Sequence, residues 1–165
     1  MSAHHIRSRK NWVILGAILF GVCIECVARE GSSMKTETLE GGYSVRVPGT
    51  IKTNQTSTVE DFMLYSMIDL HGKIVLQIYL GNFPSRPSKD ADRAVQSATV
   101  IGGFSATSAQ WPCGKAFHCG DVRVRLLDGK GWPCFAHMFY SKLSKDEADI
   151  SQAIINSFAK EPKSK

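Results

Sequence analysis

No apolar stretch in this chain is long enough to cross a membrane as a helix. The longest candidate, Trp12–Ile24, is thirteen residues without a charge. At helical rise that spans about 20 Å, against a hydrocarbon core of roughly 30 Å. Also missing are a Gly-x-Ser-x-Gly elbow, a phosphate-binding loop and a dinucleotide fingerprint, so the local signatures of the commonest hydrolases, NTPases and dehydrogenases are excluded. Beyond residue 28 no short-spaced cysteine pair of the zinc type occurs. Charge of one sign is scarce as well. Of 20 basic and 15 acidic residues, Arg7, Arg9, Lys10 and Glu25 precede residue 29, which leaves 17 and 14, a net +3. With no basic stripe and no aromatic interleaving, that balance reads as a solvated surface and not as a nucleic-acid partner.

What is present begins with the parts of an export signal. A basic start, the apolar run and small residues before Ala28 make residues 1–28 a secretory signal peptide. The competing reading is an uncleaved anchor, with membrane contact only through residues 12–28. Lipidation at Cys23 or Cys26 fits poorly, because neither has a small residue directly before it. Residues 29–42 read as a loose leader, 43–159 as one domain and 160–165 as a polar tail. In an exported chain the domain's three cysteines, Cys113, Cys119 and Cys134, imply one disulfide and one thiol. Cys113–Cys119 is the first choice and Cys113–Cys134 the second. Cys119–Cys134 is excluded by strand spacing.

Periodicity then sets an α+β expectation: an antiparallel sheet of about five to seven strands flanked by two main helices. Tyr43–Val47 alternates and stops at Pro48-Gly49. Ile51–Val59 is polar and reads as a loop with edge-strand character; its Asn54-Gln55-Thr56 is a glycan acceptor only in a eukaryotic secretory pathway. Asp61–Asp69 and Lys73–Leu80 form a hairpin about His71-Gly72, apolar on both faces and so needing cover on both. Ser88 or Asp90 caps an expected helix to about Val100, stopped by Gly102-Gly103; Phe104–Trp111 is a short strand. Val122–Leu126 and Pro133–Ser141 form a second hairpin about Asp128-Gly129-Lys130-Gly131. Read with a short loop, it places Val122, Val124 and Leu126 with Phe135, His137 and Phe139, and Arg123 and Arg125 with Cys134, Ala136, Met138 and Tyr140. Ser144 and Glu147 form a capping box with Leu143 and Ala148 as staple. The helix over 145–159 then shows Ile150, Ile154 and Phe158 as its apolar stripe.

The order of these elements, from Tyr43-Ser-Val-Arg-Val-Pro48 to Ala153-Ile-Ile-Asn-Ser-Phe158, resembles small exported bacterial proteins and, more distantly, the PsbP-like fold. The resemblance covers roughly residues 42–158. It implies a sheet flanked by helices and an accessory, non-enzymatic role, and it carries over no functional residue.

Function is expected to be that of an exported, non-catalytic binding or accessory protein, periplasmic or secreted. It acts through a protein partner, as an inhibitor or immunity factor does, and needs no cofactor. Trp111, Trp132, Tyr140 and Phe83, beside Pro or Gly or at strand edges, are the candidate partner surface. The alternatives are a metal-binding protein, with Cys119, Cys134, His118 and His137 as ligands, and a small enzyme with an unrecognised site. Against metal, His118 and Cys119 are adjacent, and Cys134 and His137 are three apart on a strand, so each pair points to opposite faces. A core histidine at His137 is the commoner outcome.

Overall fold

The computed structural model describes residues 33–59, 61–83, 90, 94–126 and 131–162. The chain divides into units 1–31 and 32–165, and every described residue lies in the second. The signal segment, the cap candidate Ser88, residues 89 and 91–93 of the expected helix, and residues 127–130 of the last hairpin loop fall outside the described residues; the other cap candidate, Asp90, is described.

Ten strands and one helix make up the described fold. Three strands, β1 (Met34–Leu39), β2 (Tyr43–Pro48) and β10 (Ala159–Lys160), form an antiparallel sheet in the order β1-β2-β10. The other seven are β3 (Lys52–Val59), β4 (Phe62–Ile68), β5 (Ile74–Gly81), β6 (Gln96–Ile101), β7 (Phe104–Pro112), β8 (His118–Arg125) and β9 (Phe135–Leu143). Their order in the larger sheet is β3-β4-β5-β9-β8-β7-β6. The helix, α1, runs Lys145–Asn156. The α+β expectation with two main helices is therefore overturned: the protein is mostly β, in two sheets of three and seven strands with one helix among the described residues.

The second expected helix, 89–100, is replaced from Gln96 onward by β6, for a local reason. Thr99, Val100 and Ile101 are β-branched, and Gly102-Gly103 does more than stop a helix. Both glycines have positive φ, +57° and +85°, and Ile101 pairs with Phe104, so they are the two-residue turn of a β6–β7 hairpin. Gly102 is also pressed against the Phe158 carbonyl, where a side chain would overlap it. Two polar stretches become strands as well. Residues 29–42, expected as a loose leader, contain β1, paired along its whole length with β2. The loop expected over 51–59 is β3, an edge strand with a bulge between Gln55 and Ser57. The polar tail gives up Lys160 to β10.

The β4–β5 hairpin has the expected register: Met63, Tyr65 and Met67 lie opposite Leu80, Ile78 and Leu76. That face is the core, with Met67, Leu76, Ile78 and Leu80 fully buried, and it meets Val45 and Val47 of β2 and Ile154 and Ile155 of α1. Its other face is only half-buried at Phe62, Leu64 and Tyr79. A bulge at Met67/Ile68 leaves Val75 outside the ladder. Its carbonyl is met by the Ser151 hydroxyl at 2.7 Å, which pins the helix to β5.

The helix is capped as its sequence requires. Ser144 Oγ accepts from the Glu147 backbone N–H, and the Glu147 carboxylate accepts from the Ser144 N–H at 2.7 Å. The buried stripe is Ala148, Ser151, Ile154, Ile155 and Phe158, while Ile150 is exposed. A strict four-residue step drifts off the face of a 3.6-residue helix, which is why Ile150 is misplaced by it.

Glu147 also accepts from Lys73 Nζ, and this contact, followed by the Ser144 backbone bond, lowers its pKa. A carboxylate held below its unfolded value stabilises the fold at neutral pH, and loses that contribution as pH falls through the lowered folded value. The gap in urea midpoint between the wild type and Glu147→Gln is accordingly expected to close on acidification. Gly102→Ala is expected to cost about 1–3 kcal/mol and Gly103→Ala less, because nothing lies within 4 Å of a side chain at residue 103. Urea titration of the two variants checks that order.

Candidate functional site

The outer face of the larger sheet follows from strand pairing. His137 on β9 lies directly between Tyr79 on β5 and Arg123 on β8. On the next rung Phe139 lies between Gln77 and Asp121, and on the other side Phe135 lies between Gly81 and Arg125. The expected register of this hairpin is therefore wrong by one residue. Val122 and Val124 pair with Met138 and Ala136 on the core face, and Arg123 pairs with His137 on the outer face. Leu126 N–H reaches the Cys134 carbonyl, so the connection is 127–133, an odd number of residues, and a one-residue slip moves every side chain to the other face.

That correction assembles a charged trio. His137 Nε2 is 2.8 Å from Asp121 Oδ2, with both groups buried. A carboxylate can only accept, so Nε2 carries the proton. Arg123 Nε is an ion-pair partner of Asp121 Oδ1 at 3.3 Å, out of line for a hydrogen bond. His137 Nδ1 and Arg123 Nε and Nη2 are buried with no hydrogen-bond partner. His137 is 3% exposed, which makes it the satisfied-on-one-side histidine of a polar cluster, ringed by Phe139 at 5.0 Å between centroids. Among the described residues no serine hydroxyl or cysteine thiol is hydrogen-bonded to it.

One end of the same face is aromatic. Phe62 and Tyr79 stack with centroids 5.4 Å apart, and Tyr79 Oη donates to the Phe83 carbonyl at 3.0 Å. Trp132 Nε1 donates to the carbonyl of Asp61, the residue before Phe62, at 3.4 Å. The Cys134 N–H donates to Asn82 Oδ1. Phe83 itself is 82% exposed. Two of the four expected surface aromatics, Phe83 and Trp132, thus come together with Phe62, Tyr79 and Phe135, three residues that sequence pattern alone does not single out.

The opposite end of the sheet holds the others. Trp111 on β7 pairs with Cys119 on β8. Cys119 bonds to Cys113, with Cα atoms 5.8 Å apart, and Cys134 is free and half-buried. Tyr140 is buried with its ring over Gly120, where a Cβ would overlap it, and burial, then the Asp149 charge, raises its pKa. It floors a groove of about 220 Å³ beside α1, whose walls include Gln110, His118 and Gln152. Tyr140 is therefore not part of the aromatic end, and Trp111 is not either.

The four metal candidates are dispersed. Cys119 is spent in the disulfide, His118 lies opposite Leu143 at one end of β9, and Cys134 precedes the other end. His137 is on the outer face with its Nε2 committed to Asp121. Among the described residues no three His, Cys, Asp or Glu side chains are grouped to hold a metal ion. No protein-family model and no curated protein matches the chain.

Asp121 is the ion-pair partner of Arg123 and the hydrogen-bond acceptor of His137, so its removal leaves Arg123 uncompensated in a partly buried site. Asp121→Ala is expected to destabilise by about 3–5 kcal/mol, and Asp121→Asn by less because an amide still accepts from His137. Equilibrium unfolding in urea with an unchanged slope is the measurement.

Proposed function

We propose that this chain is an exported, non-catalytic binding protein, which acts through a protein partner held at the aromatic end of its larger sheet. The observation that carries the reading is the group of Phe62, Tyr79, Phe83, Trp132 and Phe135 at one end of the sheet, with Phe83, two residues past the end of β5, 82% exposed. Phe62 and Tyr79 are held by stacking, Tyr79 and Trp132 by hydrogen bonds to backbone carbonyls, so these rings lose little entropy on binding, and aromatic residues dominate protein interfaces. The Cys113–Cys119 disulfide is compatible with an oxidising compartment. No helix among the described residues is long and apolar enough to cross a membrane. Export by a cleaved signal over residues 1–28, a periplasmic or secreted location, and kinship with PsbP-like accessory proteins belong to the same proposal. A metal-binding role is the weaker reading, because the candidate ligands are spread over both ends of the sheet.

Recovery of one stoichiometric protein partner from the exported fraction is the expected result of a pull-down with the wild type. Phe83→Ala is expected to weaken that complex by about 30-fold, the ~2 kcal/mol of a hot-spot residue, without moving the melting temperature. A partner indifferent to both Phe83→Ala and Trp132→Ala would remove the aromatic end as the contact. Turnover of a small substrate that is lost in His137→Ala would remove the non-catalytic reading altogether.

A further inference from the structure

The described sheets end in edge strands, and these are guarded to different degrees. An edge presents unpaired N–H and C=O groups, and native proteins protect it with charge, proline, bulges, shortness or cover. On the smaller sheet β1 carries Lys35 and Glu37, an ion pair at 2.7 Å, and β10 is two residues long. At one margin of the larger sheet β3 carries Lys52 and a bulge at Gln55/Ser57. At the other margin β6, Gln96-Ser-Ala-Thr-Val-Ile101, has none of these devices among the described residues. It is uncharged, has no proline, pairs with β7 through six consecutive residues without a register shift, and is exposed from Gln96 to Val100. Val100 is 69% exposed, and Val95, just before the strand, 85%.

We infer that β6 is an association edge, and that its occupant is β6 of a second copy of this chain, paired antiparallel about a two-fold axis. Three observations select the second copy. The strand is electrically neutral, so a self-pair brings no like charges opposite one another. An antiparallel two-fold pair uses the same edge on both molecules and closes at two. The other way of joining two copies, β6 onto β3, meets the bulge and Lys52, which block an open-ended filament. Six residues a side bury far less than the roughly 1,200 Å² of a stable interface, so the dimer is weak and reversible.

Sedimentation velocity of the purified full chain over roughly a hundredfold range of concentration tests this. A reversible monomer–dimer equilibrium is expected. Val100→Lys, which places a charge on the exposed edge, is expected to raise the dissociation constant at least about tenfold while leaving the melting temperature unchanged. Asn54→Lys on β3 is expected to leave the constant where it is. A monomer at every concentration would overturn the inference. So would a dimer that survives Val100→Lys, as association through residues 1–31 would, and so would growth past the dimer. Outcomes at Phe83 bear only on the aromatic end, so the two proposals fail separately.

Discussion

Everything in this domain depends on keeping one face of a wide sheet dry with too little helix. Seven strands at about 4.8 Å spacing span roughly 29 Å, whereas a helix with its side chains is about 10–12 Å across. α1 alone can shelter the middle, over β5, β8 and β9, where Ile154 and Ile155 are fully buried. The remaining cover is a second sheet. Leu39, Tyr43, Val45 and Val47 face the same core, and Tyr43 stacks on Phe158 at 5.3 Å to join the small sheet to the end of the helix. The Tyr65 hydroxyl accepts the Glu40 N–H at 2.9 Å and ties the two sheets at the other side. One-sided cover explains why the outer face can carry charge and half-exposed rings.

Legibility in the sequence followed how local the deciding physics was. The β4–β5 hairpin was readable because its turn is short. Asp69 Oδ1 accepts the N–H groups of His71 and Lys73, and Gly72 takes φ +80°. The capping box at Ser144 was readable for the same reason. Strand spacing ruled out only Cys119–Cys134; of the two pairings left, the short-loop bridge Cys113–Cys119 is the one formed. What could not be read needed pairing partners far along the chain. β1 and β3 are polar strands that exist because β2 and β4 lie beside them, a tertiary effect that overrides composition. The helix expected to about Val100 gives too little weight to a Gly-Gly pair directly after the β-branched run Thr99-Val100-Ile101, which is itself a hairpin signal.

The candidate site was hidden by one integer. Asp121, Arg123 and His137 alternate correctly within their own strands, and only the length of the connection decides whether they share a face. Counted as seven residues, the connection puts a carboxylate, a guanidinium and an imidazole on one patch; counted as an even number, it scatters them. Residues of the aromatic end were partly visible as isolated rings. Their convergence was not, because it is set by the side-by-side placement of β4, β5 and β9, of which the last arrives more than fifty residues after β5. The outer face therefore combines a buried polar cluster in the middle, a hydrophobic rim at one end and a disulfide-braced loop at the other.

The pairing of β10 with β2 has a temporal meaning. Lys160 lies opposite Tyr43, and the Glu161 N–H donates to the Gly42 carbonyl at 2.8 Å. The small sheet is thus completed by a strand more than a hundred residues after β2, and the large sheet's central strand β9 also follows its neighbour β5 at a distance. During translation no intermediate length of chain holds the finished domain, since the early strands lack the helix and the partner that shelter them. A sheet split in this way between residues 34–48 and 159–160 locks the order of events: the small sheet cannot close before the helix that precedes β10 is in place.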